Sequence, residues 1–474
     1  GRRTCPGMWQ VEKISSMNCL KYCAVVFASL FLSLACGNDG GTAVSEPEDP
    51  EQPETPGQSE ESEGLVVEIP NPGFEQEVDF TGTAGVWKKT DAWQTDRAVF
   101  TYEPQGGFNG SAGIRIACTE GDYTTDAVVT QSVSGLIPGK LYELSAMVRT
   151  SGVAGGRGGN VCLFGQGVWT GSEPFTGTNG WTRRSVQFIA EESTAVIGCR
   201  LGFWAGDSRG TVWFDDVALR TPEGMYYRES EHLEMYLEKA LVRVSDGVMD
   251  GWLAKLDKVY DAYTELFDFF VPFGGRKMIV LSKMIDAWAY AGYPIQWNRD
   301  YVASTLDEVA RYDNAVFGIM HEMGHNFAPG NYVTGAYDHG NGEWNWNEEL
   351  FANFRMYYAL CRTGYSVYLN NTVYTGAQIS DMYRKSYEET LARGIAADGD
   401  GLMYVMTRMA DTEGWEPFRK TFRELYDLAP QTSCGTTKWE KIDYFFSVLS
   451  RHAGKDLMQE YFTQSEINAL KTLR

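Results

Sequence analysis

The stretch that decides the fold of the second half of the chain is Phe317-Gly318-Ile319-Met320-His321-Glu322-Met323-Gly324-His325-Asn326-Phe327. His321 and His325 are four residues apart, which on a helix places both imidazoles on one face. Two imidazoles on one face can bind a single metal ion, and the adjacent Glu322 can take a proton from an attacking water. The stretch therefore predicts a helix that carries a metal centre. The alternative is a surface helix that holds these residues by chance.

A zinc centre of this kind needs a third protein ligand and keeps one position open for water. A third histidine at the metzincin spacing is absent, because the next histidine, His339, follows fourteen residues after His325. The segment from Trp344 to Tyr358 has helical periodicity, and Glu349 and Asn353 share a face of that helix. We therefore expect Glu349 to bind the metal and Asn353 to orient one of the two histidines.

Two further glutamates lie close to the same predicted helix. Glu348 points about 100° away from Glu349 and is expected to have no partner like Asn353. Glu343, which precedes the helix, is the remaining alternative for the third ligand. Hydrolysis of a peptide bond also needs a donor for the developing oxyanion. Four side chains are chemically able to serve, and the sequence does not choose among them: Tyr337, His339, Tyr357 and Tyr358.

Two other segments near the motif allow more than one interpretation. The loop 331–346 lines the cleft in one interpretation and is an ordinary surface loop in the other. The run Asp398-Gly399-Asp400-Gly401 has some likeness to a calcium loop but lacks the glutamate that closes such a loop. We therefore expect a turn at this run.

The first half of the chain, residues 65–221, is dense in glycine, threonine and serine and shows short alternating runs of apolar and polar residues. Examples are Leu141 to Val148, Ser185 to Ile189 and Thr211 to Phe214. A period of two between turn residues is typical of an all-β sandwich. From residue 225 to 474 glycine thins out and helical periodicity appears. The sequence therefore predicts a multidomain chain, with an N-terminal sandwich followed by a mainly helical α+β domain.

Aromatic residues of the first half are candidates for binding sugars, since a flat ring offers a large apolar contact at small entropy cost. The alternative for each of them is a place in the core. No pair of carboxylates in this half indicates a glycosidase. The candidates are Trp87, Trp93, Trp169, Trp181 and Trp204.

The N-terminal 64 residues read as an export and anchoring segment. In the leader, residues 1–36, an apolar run from Ala24 to Ala35 is too short to span a bilayer and suits a secretory signal. Its end, Leu32-Ser33-Leu34-Ala35-Cys36, resembles a bacterial lipoprotein processing site, at which Cys36 is lipidated; an ordinary cleaved signal peptide is the alternative. Residues 37–64 contain no lysine or arginine, which predicts a disordered acidic tether or, alternatively, an acidic interaction tail. We expect an exported lipoprotein of the outer membrane or cell surface.

Length and charge exclude several classes of protein. The 474 residues are 43% hydrophobic, which is enough for two or three globular domains. The chain carries 63 acidic and 41 basic residues, and its net charge of −22 would repel a nucleic-acid backbone. We therefore expect no nucleic-acid partner. The five cysteines after residue 36 are too scattered for a disulfide framework, and nothing in the sequence predicts an oligomeric state.

Three segments of the first half resemble the jelly-roll carbohydrate-binding modules of families four and nine. They are Asn71-Pro72-Gly73-Phe74-Glu75, the run from Phe108 to Ile116, and Trp213-Phe214-Asp215-Asp216-Val217. The resemblance implies a jelly-roll fold and a glycan-binding or structural module. It also implies a structural Ca²⁺ held by Glu75 and Asp216, because hard oxygen ligands suit that ion. A plain surface-exposed pair is the alternative for these two residues.

The second half resembles the M-sixty-like zinc peptidases, gluzincins that include viral enhancins and bacterial mucin-degrading proteases. The resemblance covers most of residues 225–430. It implies a zinc ion held by His321, His325 and Glu349, with Glu322 as the general base of an endopeptidase. It also implies O-glycosylated, mucin-like glycoproteins as substrates. The segments that carry it are His321 to Asn326, Ala291-Gly292-Tyr293-Pro294-Ile295, the pair Glu349 and Asn353, and Glu413 to Phe418.

Three functions of different classes remain open on the sequence. The first is a cell-surface zinc endopeptidase that cleaves glycoproteins, with the sandwich helping to hold the glycan-decorated substrate. The second is a non-catalytic glycan-binding surface adhesin, against which the intact Glu322 argues, since a decayed site has no need for a general base. The third is a carbohydrate-active hydrolase, which fits the sandwich but not the metal motif.

Overall fold

The computed structural model describes residues 65–166, 170–204, 206–328, 344–394, 398–429 and 432–474. The predicted leader, the tether and Cys36 lie outside the described residues. Within the described ranges, no helix combines the length and the apolar character that a membrane crossing requires. Cys118, Cys162, Cys199 and Cys361 are free thiols, and of the five cysteines in these ranges all but Cys361 are buried.

The first half forms a sandwich of two antiparallel sheets. Its strands are β1 (Val66–Val67), β2 (Lys88–Trp93), β3 (Val99–Glu103), β4 (Gly113–Cys118), β5 (Asp126–Ser134), β6 (Leu141–Ala154), β7 (Gly159–Phe164), β8 (Thr170–Gly171), β9 (Gly177–Ile189), β10 (Thr194–Leu201) and β11 (Arg209–Arg220). One sheet has the order β3-β4-β11-β6-β9 with β1 beside β11, and the other has the order β2-β5-β10-β7-β8. The prediction of an all-β first half is confirmed.

Alternation along the strands builds the core of the sandwich. On β11, Val212 and Phe214 are fully buried between the sheets, whereas Trp213 between them points to the other face and is partly exposed. Each such side chain contributes roughly 1.5–3 kcal/mol by leaving water. The second sheet also buries a bidentate ion pair, in which Arg200 donates twice to Asp126 at 2.6 Å.

The second half combines a five-stranded mixed sheet, a small hairpin and a set of helices. The strands are β12 (Met225–Glu229), β13 (Leu233–Glu238), β14 (Met278–Lys283), β15 (Ala289–Tyr290) and β16 (Ile295–Asn298), with the hairpin β17 (Val367–Leu369) and β18 (Thr372–Tyr374). The sheet order is β12-β13-β14-β16-β15. Strand β15 runs antiparallel to β16 and forms an edge of this sheet.

The helices account for most of the second half, which confirms the prediction of a mainly helical α+β region. They are α1 (Asp246–Leu266), α2 (Arg299–Tyr312), α3 (Phe317–Asn326), α4 (Glu348–Thr363), α5 (Gly376–Ala392), α6 (Asp400–Glu413), α7 (Glu416–Tyr426), α8 (Lys438–Ala453), α9 (Leu457–Tyr461) and α10 (Gln464–Leu470). One large apolar cluster joins these helices to the sheet.

Helix α4 is the central helix of this core. It begins after Asn347, whose side chain accepts a hydrogen bond from the Leu350 N–H, and it ends at Gly364 with φ 70°. It is buried from Leu350 to Leu360, where aromatic side chains such as Phe351 and Phe354 contact neighbouring rings. The first turn of α4 is thereby fixed in position, and this turn carries the predicted third metal ligand.

The two halves contact each other through a small apolar cluster and one ion pair. Lys140 of the sandwich lies 3.2 Å from Glu234 of the second half. The apolar cluster combines sandwich residues with residues of β13 and β14, namely Leu141, Ile189, Tyr236, Ile279 and Leu281. The contact therefore lies at the end of the sandwich where β6 begins.

Candidate metal centre

Helix α3, which carries the two histidines of the motif, packs closely on α4. Gly324 makes this approach possible, because a Cβ at this position would lie 3.0 Å from the carbonyl oxygen of Ala352. At the start of α3 the Asn314 side chain accepts a hydrogen bond of 2.8 Å from the Val316 N–H. Most of α3 is buried. This packing turns the histidine face of α3 toward the first turn of α4.

Three predicted ligands meet in one cluster. His321 Nε2 lies 3.0 Å from His325 Nε2 and 3.1 Å from Glu349 Oε2. His325 Nε2 lies 3.5 Å from the same carboxylate oxygen. Both histidines are buried, whereas the Glu349 side chain is 40% exposed, so solvent reaches the cluster from the Glu349 side. Across the described ranges, no other group of three histidine, cysteine or acidic residues could hold a metal ion.

The cluster fits zinc in its atoms and in its spacing. Two imidazole nitrogens and one carboxylate oxygen are a ligand set of catalytic zinc sites. Ligands about 2.0–2.1 Å from a tetrahedral ion lie roughly 3.3 Å from one another. The three atoms here are separated by 3.0, 3.1 and 3.5 Å. The exposed side of Glu349 keeps one side of the cluster accessible to water.

Helix α4 also holds the second ring nitrogen of each histidine. His321 Nδ1 lies 2.9 Å from Asn353 Oδ1, and His325 Nδ1 lies 3.3 Å from Glu348 Oε1. Glu348 is in turn bound by the fully buried Arg355. Such partners fix the orientation of the rings and direct each Nε2 toward the centre of the cluster. The structure thus places Asn353 beside His321, and a carboxylate beside His325.

Glu348 was expected to have no partner like Asn353, but it contacts both His325 and Arg355. The two histidines are one helical turn apart on α3, and the ring of His325 reaches the side of α4 that carries Glu348. The Arg355 guanidinium binds this carboxylate and also donates to the Gly324 carbonyl at 3.1 Å, so it ties α4 to α3. A signal was present in the sequence, since Glu348 and Arg355 are seven residues apart and therefore share one side of a helix.

Charges in the cluster reinforce one another. Burial lowers the pKa of His325, but its hydrogen bonds with Glu348 and Glu349 outweigh burial and raise the pKa to about 10. Burial raises the pKa of Glu349, but hydrogen bonds from His321 and His325 hold it well below its usual range. Burial likewise raises the pKa of Glu348, and the Arg355 charge outweighs it. Both glutamates are therefore held as carboxylates.

Glu322 lies beside the edge strand of the five-stranded sheet. Burial raises the pKa of this carboxyl, whereas the charges of His321 and His325 lower it, as does a hydrogen bond with the backbone of Ala291. The sheet edge is tied to α3 by Asn326. Its Oδ1 accepts from the Gly292 N–H at 3.0 Å, and its Nδ2 donates to the Gly292 carbonyl at 3.3 Å.

Asp400, the first residue of α6, is a further acidic residue near the cluster. Burial raises its pKa, His321 lowers it and Glu349 raises it, so its carboxylate lies within electrostatic range of both ligands. The start of α6 is fixed against the start of α4, because Asn347 Nδ2 donates to the Asp398 carbonyl at 3.2 Å. The sequence predicted a turn at this run and gave no reason to connect Asp400 with the metal.

The candidate oxyanion donors of α4 do not reach the cluster. Tyr357 lies eight residues after Glu349, which corresponds to about 12 Å along the helix. Its hydroxyl donates to Asp411 at 2.8 Å. Tyr358 packs edge-on against Trp415, with ring centroids 4.6 Å apart. The other two donor candidates, Tyr337 and His339, lie outside the described residues. The alternative metal ligand, Glu343, lies outside them as well.

The predicted calcium pair of the sandwich gains no support from its surroundings. The exposed Asp216 carboxylate forms an ion pair with the Arg183 guanidinium, and Glu75 is exposed. The more buried carboxylate is that of Asp215, which accepts a hydrogen bond of 2.8 Å from the Phe108 N–H. This bond fixes the loop that precedes β4.

The predicted sugar-stacking tryptophans of the sandwich differ widely in exposure. Trp87 is fully buried and belongs to the core. Trp181 is partly exposed and contacts the Phe108 ring at a centroid distance of 6.2 Å. Trp93 and Trp204 are exposed. Trp169 lies outside the described residues.

The sequence matches no family profile and no curated protein. Among solved structures, it is similar to a metallopeptidase from Bacteroides thetaiotaomicron at 12% identity and a TM-score of 0.37, with 67% of this chain and 58% of that chain covered. A metallopeptidase in complex with Tn antigen gives 12% identity and a TM-score of 0.37, with 67% of this chain and 64% of that chain covered. A family 4 carbohydrate-binding module gives 20% identity and a TM-score of 0.24, with 32% of this chain and 97% of that chain covered. The chain thus spans about three fifths of the two metallopeptidases.

Proposed function

We propose that the chain is a zinc-dependent endopeptidase that hydrolyses peptide bonds in O-glycosylated, mucin-like glycoproteins. The observation that carries the proposal is the meeting of His321, His325 and Glu349 within 3.5 Å of one another. Glu322 lies on the same helix as the two histidines. A metal site that serves structure alone is closed by a fourth protein ligand. Within the described ranges this cluster offers three ligands, and the Glu349 side chain is 40% exposed.

Zinc would be held by His321 Nε2, His325 Nε2 and Glu349 Oε2, and it supplies Lewis-acid chemistry that polarises a carbonyl and lowers the pKa of water. Glu322 accepts the proton of the attacking water and passes it to the leaving amine. Asn353 keeps the His321 ring directed into the cluster.

The peptide substrate has a natural docking place at the sheet edge. Strand β15 pairs only with β16 within the described part of the sheet, so its other side can accept an extended segment as an added strand. Asn326 holds the residue Gly292, just beyond this strand, against α3. A bound peptide would therefore run past the helix that carries Glu322.

The substrate class rests on the resemblance of the motif segments to mucin-degrading peptidases. The exposed Trp93 and Trp204 of the sandwich support it, since exposed indoles are suited to stack on sugar rings.

The proposal includes export of the chain and a lipid anchor at Cys36 in the outer membrane. A Cys36→Ser variant should then move from the membrane fraction to the soluble fraction, and unchanged membrane retention would contradict the anchor.

The test is cleavage of an O-glycosylated mucin, intact and enzymatically deglycosylated, by the zinc-loaded chain with and without a chelator. We expect chelator-sensitive cleavage of the glycosylated form only. Glu322→Gln should abolish cleavage while zinc stays bound at one equivalent. Glu388→Gln, which makes the same change on an exposed glutamate of α5, is the matched control and should keep full activity.

Each adverse outcome has a distinct meaning. Cleavage of both forms would contradict the requirement for a glycan but would still support a peptidase. An active, zinc-loaded Glu322→Gln variant would contradict the assignment of Glu322 as the general base. If neither form is cut although zinc is bound, the chain is better described as a glycan-binding surface adhesin.

A further inference from the structure

The mixed sheet of the second half has apolar residues on both of its faces. On β14, Met278 and Val280 belong to the large core that the helices share. Ile279 and Leu281, which alternate with them, belong to the small cluster at the contact with the sandwich. Strands β13, β14 and β16 run parallel, and parallel sheets are normally covered on both faces. The sandwich therefore covers part of the sheet face that points away from the helices.

The sandwich contributes a matching apolar spot at one end of its surface. Leu141 and Ile189 lie opposite each other on β6 and β9, and both are buried. Neither belongs to the core of the sandwich, which instead holds their neighbours Tyr142 and Phe188. The side chains of Leu141 and Ile189 thus point out of the sandwich and pack against the second half of the chain.

Polar groups of defined direction flank this apolar contact. Lys140, the residue before Leu141, lies 3.2 Å from Glu234 and donates to the Tyr227 hydroxyl at 2.8 Å. Glu234 also accepts a hydrogen bond of 3.0 Å from the Tyr236 hydroxyl. Because such pairs form only in one register, they determine which way the sandwich faces the sheet.

Three consecutive residues after the edge strand β15 connect this contact with the metal motif. We call Ala291, Gly292 and Tyr293 the edge segment. The Ala291 backbone forms a hydrogen bond with the Glu322 carboxyl, and the Asn326 side chain binds both backbone groups of Gly292. Tyr293 packs against the small cluster between the two halves. The edge segment thus contacts the proposed general base, the motif helix α3 and the junction with the sandwich.

The Tyr293 ring is held from several sides. Its centre lies 5.0 Å from that of the Phe273 ring and 4.4 Å from the Arg276 guanidinium. Burial raises the pKa of Tyr293 and the Arg276 charge lowers it, while the carboxylates of Glu234 and Glu191 raise it further. Glu191 belongs to the loop after β9, so groups from both halves of the chain surround this ring.

We propose that the sandwich positions the catalytic machinery through Tyr293. The apolar spot of the sandwich holds the Tyr293 ring, the ring fixes the edge segment, and the edge segment keeps Glu322 and the docking strand in place. Tyr293 acts through Ala291 and Gly292 and is therefore a positioning residue. The catalytic consequence rests on the function proposed above, whereas the physical link between the sandwich and the edge segment does not.

This link distinguishes the proposal from a sandwich that acts as an independent module. Domains joined by a small contact are expected to move relative to each other. Shortening a sandwich side chain at such a contact would then change neither the edge segment nor cleavage. In the proposed arrangement, shortening Ile189 of the sandwich changes both.

The experiment compares two buried isoleucines of the sandwich that differ in what they contact. Ile189→Ala shortens a side chain at the junction, and the matched control Ile197→Ala shortens one in the core of the sandwich. Both changes are made in the full chain. Tyr293→Ala removes the ring that receives the contact, and Tyr293→Phe keeps that ring.

The first measurement is amide hydrogen exchange of residues 289–298, followed by mass spectrometry without zinc or substrate. We expect Ile189→Ala and Tyr293→Ala to speed this exchange by about tenfold or more, because the Gly292 N–H is released more often from Asn326. Ile197→Ala and Tyr293→Phe should leave the exchange of these residues unchanged.

The second measurement is cleavage of a glycopeptide by the zinc-loaded chain. Ile189→Ala and Tyr293→Ala should each lower kcat/KM by about tenfold at unchanged zinc affinity, since a small displacement of catalytic groups is costly. Tyr293→Phe and Ile197→Ala should keep the activity of the unmodified chain. Adding Ile189→Ala to Tyr293→Ala should lower kcat/KM no further, because the link is already broken.

Several results would overturn the proposal. One is unchanged exchange of residues 289–298 in both Ile189→Ala and Tyr293→Ala. Another is an equal rise in exchange in Ile197→Ala, because the effect would then come from general loosening of the sandwich. A third is an additive loss of kcat/KM in the double variant, which means that the two residues act separately. If exchange responds as expected but the unmodified chain cleaves no peptide, the link is supported and the proposed peptidase function fails.

Discussion

Replacing Arg355 by methionine should destabilise the second half of the chain by about 3–5 kcal/mol. The Arg355 side chain is 0% exposed and that of Glu348 is 3% exposed, so the variant leaves a buried carboxylate without its main cation. The substitution also removes the 3.1 Å hydrogen bond to the Gly324 carbonyl. His325, whose pKa its hydrogen bonds with Glu348 and Glu349 raise, still lies 3.3 Å from Glu348, which places the expected cost toward the lower end of this range.

The double variant Arg355→Met, Glu348→Gln separates the ion pair from general packing. Because it removes both charges, it should recover about 1–3 kcal/mol relative to Arg355→Met alone. The matched control is Arg362→Met on the same helix. Arg362 pairs with Glu265 at 2.9 Å, but the two side chains are 52% and 40% exposed, so its loss should cost less than about 1 kcal/mol.

The assay is urea unfolding with a chelator present, followed by the helical circular-dichroism signal. Since the sandwich is all β, this signal reports on the second half of the chain. The reasoning is refuted if Arg355→Met is no more destabilising than Arg362→Met. It is also refuted if the double variant is less stable than Arg355→Met, because the cost would then come from lost packing.

Three further predictions concern the same region. Gly324→Ala should lower the free energy of unfolding by about 1–3 kcal/mol, since its methyl group would press on the Ala352 carbonyl; an unchanged urea midpoint would contradict this. Glu349→Gln should weaken zinc binding, measured by competition with a fluorescent chelator, by more than the roughly 10–100-fold typical of supporting residues, whereas Asp400→Asn should stay at or below that range. Asn326→Ala should raise KM for a glycopeptide with little change in zinc affinity, because it releases the sheet edge; a selective loss of zinc would count against this role.

Local patterns explain why the fold class could be predicted. The alternation of buried and exposed residues around Trp213 can be interpreted by assuming only a sheet with one buried face. The spacing of the two histidines in α3 can be interpreted by assuming only a helix. The order of the strands in the two sheets could not be predicted, because it depends on pairings between residues far apart in sequence. The close approach of α3 and α4 at Gly324 is a contact of the same kind.

The sequence could predict those parts of the candidate site whose residues are related by their spacing along a single helix. Glu349 and Asn353 follow from spacing along α4, but Glu348 was misjudged because a single helix does not show where its neighbour lies. Asp400 was missed because the packing of α6 on α4 leaves no trace in either segment. Tyr357 was proposed for its chemistry, and the rise of the helix alone would have placed it two turns from Glu349.

The hydrogen bonds of Arg355 have a consequence for how the protein responds to its surroundings. They join α3 and α4 through protein groups alone, so we expect the scaffold of the candidate metal centre to keep its packing when no zinc is bound. Withdrawal of the ion would then be a reversible event without unfolding, and its return would need no refolding. The activity proposed above would then rise and fall with the concentration of free zinc around the protein.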